Sequence, residues 1–335
     1  MASTYLTKTL GTATNLKKFT ISCWVKRCGL SALQEIISSN SAANYGRIHF
    51  EANDRLRFSF GSTSNGLIET NRLFRDISSW YHIVCVADTT LATADDRLKI
   101  YVNGTQETSF ASRTNPTLNE DSTRLNSATI HSVGSLIVSG SHSQYLNGAL
   151  AHFHFIDGTA YDADTFGETD STTGEWKPKT APSVTYGTNG FFLKFENASD
   201  FGEDSSGNDN DFTTNGTGTQ LVDTPTNVLA TMNPLVRQGL TLSNANSTGT
   251  TTTTSQWVNM SSTLAVSKGK WYFEVKKSDT IAFSPIIGIT DAGQYGSTNY
   301  QKYAGIDTNG FGFYYHGTDA VWRSVTNSTN SNFGS

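Results

Sequence analysis

From Phe19 to Phe195, apolar residues recur at every second position in short blocks, and no stretch sustains a helical period. Phe19, Ile21, Cys23 and Val25 alternate with Thr20, Ser22 and Trp24, which predicts a strand with one apolar face. Residues 47–50 and 56–60 flank Asn53-Asp54 and read as a hairpin. Residues 83–86 are apolar on both faces, so they predict a central strand covered from both sides. Residues 97–104 alternate and end in Asn103-Gly104, the pair that best tolerates the two positive φ values of a type I′ turn. Residues 130–134, 146–156 and 191–195 complete the set. Together these blocks predict an all-β protein of two packed antiparallel sheets. Residues 88–96 and 105–127 are polar and read as long loops, the places where a rigid sandwich usually carries binding.

A chain of 335 residues is too long for one ordinary core, so two domains are expected. Residues 1–197 form the first. Residues 198–240 read as a polar connecting segment. Residues 241–335 carry a second β-pattern, in which Trp271, Phe273 and Val275 alternate with Tyr272, Glu274 and Lys276. Residues 286–289, 303–307, 310–315 and 320–322 continue that pattern.

Four motifs give the first domain its character: Phe19-Thr20-Ile21-Ser22-Cys23-Trp24-Val25-Lys26, Trp80-Tyr81-His82-Ile83-Val84, Tyr101-Val102-Asn103-Gly104 and Leu146-Asn147-Gly148-Ala149-Leu150-Ala151. In this order they resemble the laminin-G-like branch of the concanavalin-A-like lectin/glucanase sandwiches. A further series is more specific: Phe155-Ile156-Asp157-Gly158-Thr159-Ala160-Tyr161, Phe166-Gly167-Glu168, Trp176-Lys177-Pro178-Lys179, Tyr186-Gly187-Thr188-Asn189-Gly190-Phe191, Asp204-Ser205-Ser206-Gly207-Asn208 and Asp223-Thr224-Pro225-Thr226-Asn227. It resembles a recurrent module of tail-fibre and other virion surface proteins of aquatic bacteriophages. Residues 269–323 resemble the start of a SPRY-like sandwich, through Gly269-Lys270-Trp271-Tyr272-Phe273-Glu274-Val275 and Ile287-Gly288-Ile289. Such a domain needs more strands than remain before Ser335, so further chain or another subunit is expected to complete it. The resemblance implies a virion surface location, other virion proteins as partners, a host-surface glycan as ligand, and a homo-oligomer such as a fibre trimer.

The formal net charge of -5, without a basic run, gives no footprint for nucleic acid. No run of about 18 apolar residues occurs, so no membrane insertion is expected. The opening Met1-Ala2-Ser3-Thr4-Tyr5-Leu6 lacks a signal-peptide core, which predicts synthesis in a host cytoplasm. Cys23, Cys28 and Cys85 read as buried thiols, with a Cys23–Cys85 bridge as the alternative.

Glycoside hydrolases share the resembled fold and carry closely spaced carboxylates in a Glu-x-Asp-x-x-Glu run. Here Glu168-Thr169-Asp170 starts such a run, but Thr173 stands where the last Glu belongs. No nucleophile elbow or phosphate loop occurs either, so a non-enzymatic protein is expected. Tyr145, Tyr161, Trp176 and Tyr186 fall in loop-like contexts and are the candidate sugar contacts, whereas Trp24, Trp80, Tyr101 and Trp271 fit strand positions and read as packing. No cofactor is required. Ca²⁺ is the one ion the acidic loops would admit, through Asp88, Asp95 and Asp96 or through Asp200, Asp204 and Asp209, although their spacing matches no EF-hand and a solvated acidic turn is the plainer reading. His152 and His154, two apart on one strand, read as structural.

Overall fold

The alternating blocks are strands in a computed structural model that describes residues 3–40, 45–61, 65–252, 258–276, 286–289, 311–316, 321–326 and 329–332. In chain order the first unit, Met1–Leu229, contains β1 (Tyr5–Thr9), β2 (Lys18–Arg27), β3 (Gln34–Ser39), β4 (Arg47–Phe50), β5 (Arg55–Ser59), β6 (Leu67–Leu73), β7 (Trp80–Asp88), β8 (Leu98–Val102) and β9 (Thr105–Gln106). There follow β10 (Phe110–Thr114), β11 (Ile130–Val133), β12 (Leu136–Val138), β13 (Ser141–Ser143), β14 (Gly148–Asp157), β15 (Gly167–Thr169), β16 (Trp176–Pro178), β17 (Phe191–Leu193) and β18 (Thr213–Asn215). Among the described residues the helical elements are two single 3-10 turns, Ala94–Asp96 and Ala163–Thr165.

An eight-stranded sheet runs β10-β6-β5-β4-β3-β11-β1-β18, and a six-stranded sheet runs β17-β14-β2-β7-β8-β9. All pairings within them are antiparallel. The strand period decides which side chains meet. Phe19, Ile21, Cys23 and Val25 of β2, Ile83 and Cys85 of β7, and Phe153 and Phe155 of β14 face Ile48, Phe50, Leu56, Phe58 and Ile68 of the other sheet in one buried cluster. Residues 83–86 lie in the central strand β7, as their two apolar faces require: Val84 and Val86 belong to a second cluster on the outer side. Asn103 and Gly104 form the β8–β9 turn with φ of 49° and 81°. Cys23, Cys28 and Cys85 are buried and none is in a disulfide.

The outer face of the eight-stranded sheet carries charge in register. Glu35 lies opposite His49, His49 opposite Arg57, and Arg57 opposite Glu69. Arg57 bridges Glu51 at 2.6 Å and Glu69 at 2.5 Å, Arg55 meets Glu69 at 3.4 Å, and Arg47 meets Glu35 at 3.5 Å.

Two features depart from the sequence reading. Residues 110–114 lie inside an expected loop yet form edge strand β10, because Phe110 gives this polar run an apolar anchor against the core. The polar run after residue 197 folds onto the first unit up to Leu229: β18 pairs with β1, Phe212 is buried in the main cluster, and Phe201 packs against it. Two aromatic anchors suffice where side-chain hydrogen bonds hold the remaining backbone.

The second unit, Ala230–Ser335, has three small antiparallel sheets among its described residues. Met232–Gln238 pairs with Asn259–Ser262, and Thr241–Ser243 with Thr248–Thr250. Ile286–Ile289, Phe311–His316, Val321–Thr326 and Thr329–Asn332 form a four-stranded meander. Residues 269–276 are not a strand, and Trp271, expected to pack, is 68% exposed. An alternating pattern supplies a face but no partner; among the described residues none pairs with this run. The expected block at 303–307 lies outside the described residues.

Candidate functional site

The outer face of the six-stranded sheet is sealed. Residues after β14 return across it, and Phe166, Ala163, Tyr161, Trp176, Val184 and Tyr186 pack on Val84, Val86, Ile156 and Tyr101. Three of the four candidate sugar aromatics therefore serve this cover. Trp176 donates its indole N–H to His82 Nδ1 at 2.9 Å. The Tyr186 hydroxyl hydrogen-bonds His154 Nδ1 at 2.9 Å, and burial raises the pKa of its phenol. Tyr161 stands edge-on to Phe166, with ring centroids 6.3 Å apart. Trp24 and Trp80 are buried and Tyr101 half-buried, as their strand positions predict.

Tyr145 is placed differently. It follows the β12–β13 hairpin, half-buried, and its hydroxyl donates to the His142 carbonyl at 3.2 Å. Its ring centroid is 5.9 Å from that of Tyr5, which stacks on His142 at 4.0 Å. The three half-buried rings make a shelf. His142 is braced below by Ser135, whose hydroxyl meets Nδ1 at 2.8 Å, and burial lowers its pKa, so the ring is neutral at physiological pH. Beside the shelf Arg47 donates to Gln144 Oε1 at 3.2 Å and lies over the Tyr45 ring at 4.9 Å. The rings are stacked and tilted on one another, with interplanar angles of 24° and 38°, so the shelf is a small half-buried aromatic cluster bordered by fixed polar groups. Aromatic carbon beside hydrogen-bonding groups is the chemistry that holds a sugar ring. Tyr5 and His142 were not singled out in the sequence, because a strand-start tyrosine and a hairpin histidine carry no motif; only the fold brings them to Tyr145.

Two open hollows lie elsewhere on this unit. One, of about 200 Å³, is formed by residues 194–197 with Asp200, Glu203 and Ser205. The other, of about 410 Å³, lies between Asp162–Thr165 and Lys179–Ser183. Their linings are dominated by charged and small polar groups, with Phe195 the one aromatic side chain, in the first.

The acidic candidates either have protein partners or stand exposed. Asp88 accepts the Thr90 N–H and hydroxyl at 3.0 and 2.6 Å and pairs with Lys18 at 3.1 Å. Asp95 pairs with Arg113 at 3.1 Å and accepts from Asn115 at 2.6 Å, while Asp96 is exposed. Asp204 accepts the N–H groups of Phe192, Ser206 and Asn210 at 2.8, 2.8 and 2.9 Å; Asp200 accepts that of Gly202 at 2.9 Å, and Asp209 is exposed. The carboxylates of Asp88, Asp200 and Asp204 cap turns. Among the described residues no three His, Cys, Asp or Glu side chains gather to hold a cation. His154 and His152 both stack on Phe192, at 3.8 and 6.1 Å, and burial holds both pKa values down.

The motif residues do structural work. Asp157, buried, accepts the backbone N–H groups of Thr14 (2.6 Å), Asn15 (3.2 Å) and Asn189 (3.1 Å) and the side-chain N–H of Asn126 (2.7 Å). Asn208 and Asn210 then hydrogen-bond the carbonyls of Gly187, Thr188 and Gly190. Three motifs distant in sequence, with residues 14, 15, 126 and 210, are thus knotted together.

These two sheets make a two-layer antiparallel β-sandwich, the fold class of the concanavalin A-like, laminin G-like proteins. Residues 2–164 match a laminin G family model described as concanavalin A-like lectin/glucanases superfamily. Similar solved structures include a candidate carbohydrate-binding protein from Bacteroides ovatus, 13% identical over 66% of this chain and 58% of that one, with a TM-score of 0.47. Others are the heptameric SAP-like pentraxin of Limulus polyphemus (13% identical, 46% and 70% covered, TM-score 0.32) and the LG4-5 domains of the mouse laminin alpha1 chain (14%, 57% and 44%, 0.32). The chain spans less than two-thirds of the first and third of these. A comparison with curated proteins gives no match.

Proposed function

We propose that this chain is a bacteriophage virion surface protein, in a tail fibre or another appendage, that attaches the particle to host-surface glycans without catalysis. The observation that carries the reading is the shelf of Tyr5, His142 and Tyr145, with ring centroids 4.0 and 5.9 Å apart. A shallow shelf binds one sugar weakly. Repetition in a homo-oligomer such as a fibre trimer raises the effective concentration and so the avidity. The motif series from Phe155 to Asn227 supports the virion assignment. The partial acidic run supports a role without hydrolysis: Glu168 and Asp170 both meet Lys177, at 3.9 and 2.8 Å, on an exposed hairpin. Glu35, a buried carboxyl, has no surface to offer a substrate.

The test is a glycan array probed with the full chain. Binding that is lost in Tyr145→Ala and Tyr5→Ala, with thermal stability retained, is expected. A wild-type chain that binds no glycan sinks the reading, as does binding indifferent to both substitutions. Antibody-labelled particles imaged by electron cryo-microscopy check the virion location.

A second reading, packing against other virion proteins with no glycan, draws on the second unit. There Leu264, Val266, Trp271, Tyr272, Phe273 and Val275 are each more than half exposed along a short run. Apolar exposure of that extent is the usual mark of a protein contact.

A further inference from the structure

The Asp223 motif has no part in the shelf, yet it holds the most deeply buried amine among the described residues. Lys26, on β2, is 0% exposed, and its Nζ lies 2.7 Å from Oδ2 of Asp223, itself 5% exposed and 197 residues away. An amine and a carboxylate withdrawn together from water lose hydration that their attraction only partly returns. Condensation removes both charges at once. We propose that Lys26 and Asp223 form an isopeptide bond, which staples the chain leaving the first sandwich to β2.

The surroundings suit the reaction. Trp80 is the register partner of Lys26 across β2–β7. Its indole N–H points to Oδ1 of Asp223 at 3.4 Å, and the backbone N–H of Leu229 reaches the same oxygen at 3.0 Å. The two carboxyl oxygens are therefore distinguished. Oδ1 has two N–H donors, the arrangement that stabilises a developing oxyanion. Oδ2 faces the amine. One proton first passes from the ammonium to Oδ2 along the existing hydrogen bond, which leaves an amine with a free lone pair beside a neutral carboxyl group. Attack of Nζ on Cγ then forms the C–N bond and places negative charge on Oδ1, and a second proton passes from the nitrogen to Oδ2. The Cγ–Oδ2 bond then breaks and one water leaves. Ammonium plus carboxylate becomes amide plus water, with no oxidant, reductant or further reactant. The fold holds the two groups in contact, so no encounter cost opposes the step. Cys28, also near the pair, does not compete for the ammonium proton, because burial pushes its thiol up to about 12.

For an appendage that pulls on its particle, such a bond would carry tension directly from the exit of the first unit to the central sheet. This holds whether or not the shelf binds glycan.

The test is the intact mass of the full chain under denaturing conditions, followed by proteolysis. The expected mass is one water below that of the sequence, after allowance for removal of Met1. The digest should contain a branched peptide joining Lys26 to Asp223. Asp223→Ala and Lys26→Arg should restore the full mass, a readout that does not require the variant to fold. Trp80→Phe keeps the ring but removes the donor, and should slow the appearance of the lighter form by ~10-fold or more. A wild-type chain at full sequence mass overturns the proposal. So does a water loss mapped to a linear peptide.

Discussion

The indole of Trp176 and the imidazole of His82 are joined by a 2.9 Å hydrogen bond in which His82 Nδ1 is the acceptor. Its other nitrogen, Nε2, must then carry the proton, and it meets the Ser22 hydroxyl at 2.9 Å. The ring is fully enclosed, stacked against Trp24 at 4.9 Å. Trp176 therefore closes the cover over the six-stranded sheet. Trp176→Phe should leave a buried acceptor without a partner and cost about 1–3 kcal/mol in urea unfolding. Trp176→Ala should cost more, about 3 kcal/mol or above, by opening the second cluster. Glycan binding at low temperature should persist in both. If Trp176→Phe abolishes binding while leaving stability unchanged, the tryptophan is a ligand contact and not part of the cover.

Several buried histidines tie stability to acid. Burial lowers the pKa of His82 to about 3 and those of His49 and His131 to about 4, against 6.5 in the unfolded chain. The folded pKa lies below the unfolded one, so between these values the unfolded state binds more protons and stability falls as pH falls. Above 6.5 these groups contribute no pH dependence. Each should cost up to about 2 kcal/mol on going from pH 6.5 to about pH 5. Urea midpoints should thus be flat above neutrality and drop steeply below it. A midpoint unchanged from pH 7 to about pH 5 would show that the three rings are solvated.

Glu35 works in the opposite sense. Burial raises its pKa well above 4.5, although the Arg47 guanidinium at 3.5 Å pulls it down, and its Oε1 has no hydrogen-bond partner. A raised folded pKa means that stability is lost as pH rises through it. Glu35→Gln keeps the shape and removes the charge. It should stabilise the protein at about pH 8 by ~1 kcal/mol and flatten the alkaline side of the profile. Destabilisation by that substitution would mean that the ionised pair with Arg47 outweighs the burial of the carboxylate.

The sandwich was legible because its information is local. Alternation in residues 19–25, the doubly apolar run at 83–86 and the Asn103-Gly104 turn each specify a strand, a central position or a reversal without reference to the rest of the chain. The site was legible only in part. Loop context pointed equally to Tyr145, Tyr161, Trp176 and Tyr186, since a ring that anchors a loop and a ring that meets a ligand sit in the same kind of sequence. What separates them is the neighbour: Val84, His82 and His154 beneath three of the rings, Tyr5 and His142 beside the fourth. The run after residue 197 read as a linker because Phe201 and Phe212 are sparse among polar residues. The turn-capping work of Asp204 and Asp200 was not legible either, because their backbone N–H partners are set by the fold.

The knot around Asp157 gives the sharpest structural prediction. Four N–H groups converge on one buried carboxylate, from residues 14, 15, 126 and 189. Asp157→Asn places an NH₂ where one oxygen stood. At least one donor must then face another, at a cost of about 1–3 kcal/mol. Gly187 guards the same knot from outside. It has φ +70°, and a Cβ there would stand 2.1 Å from the Asp157 carbonyl oxygen, a contact with rigid backbone that no rotamer relieves. Gly187→Ala should therefore cost both the left-handed backbone penalty and the displacement of β14's end, about 3 kcal/mol together. Neither substitution touches Tyr5, His142 or Tyr145, so in protein kept folded by cold the glycan shelf should bind as in the wild type. Thermal melts of the two variants check the first expectation and an array at low temperature the second. Wild-type melting in both would mean that the ends of the sandwich are held by its sheets alone.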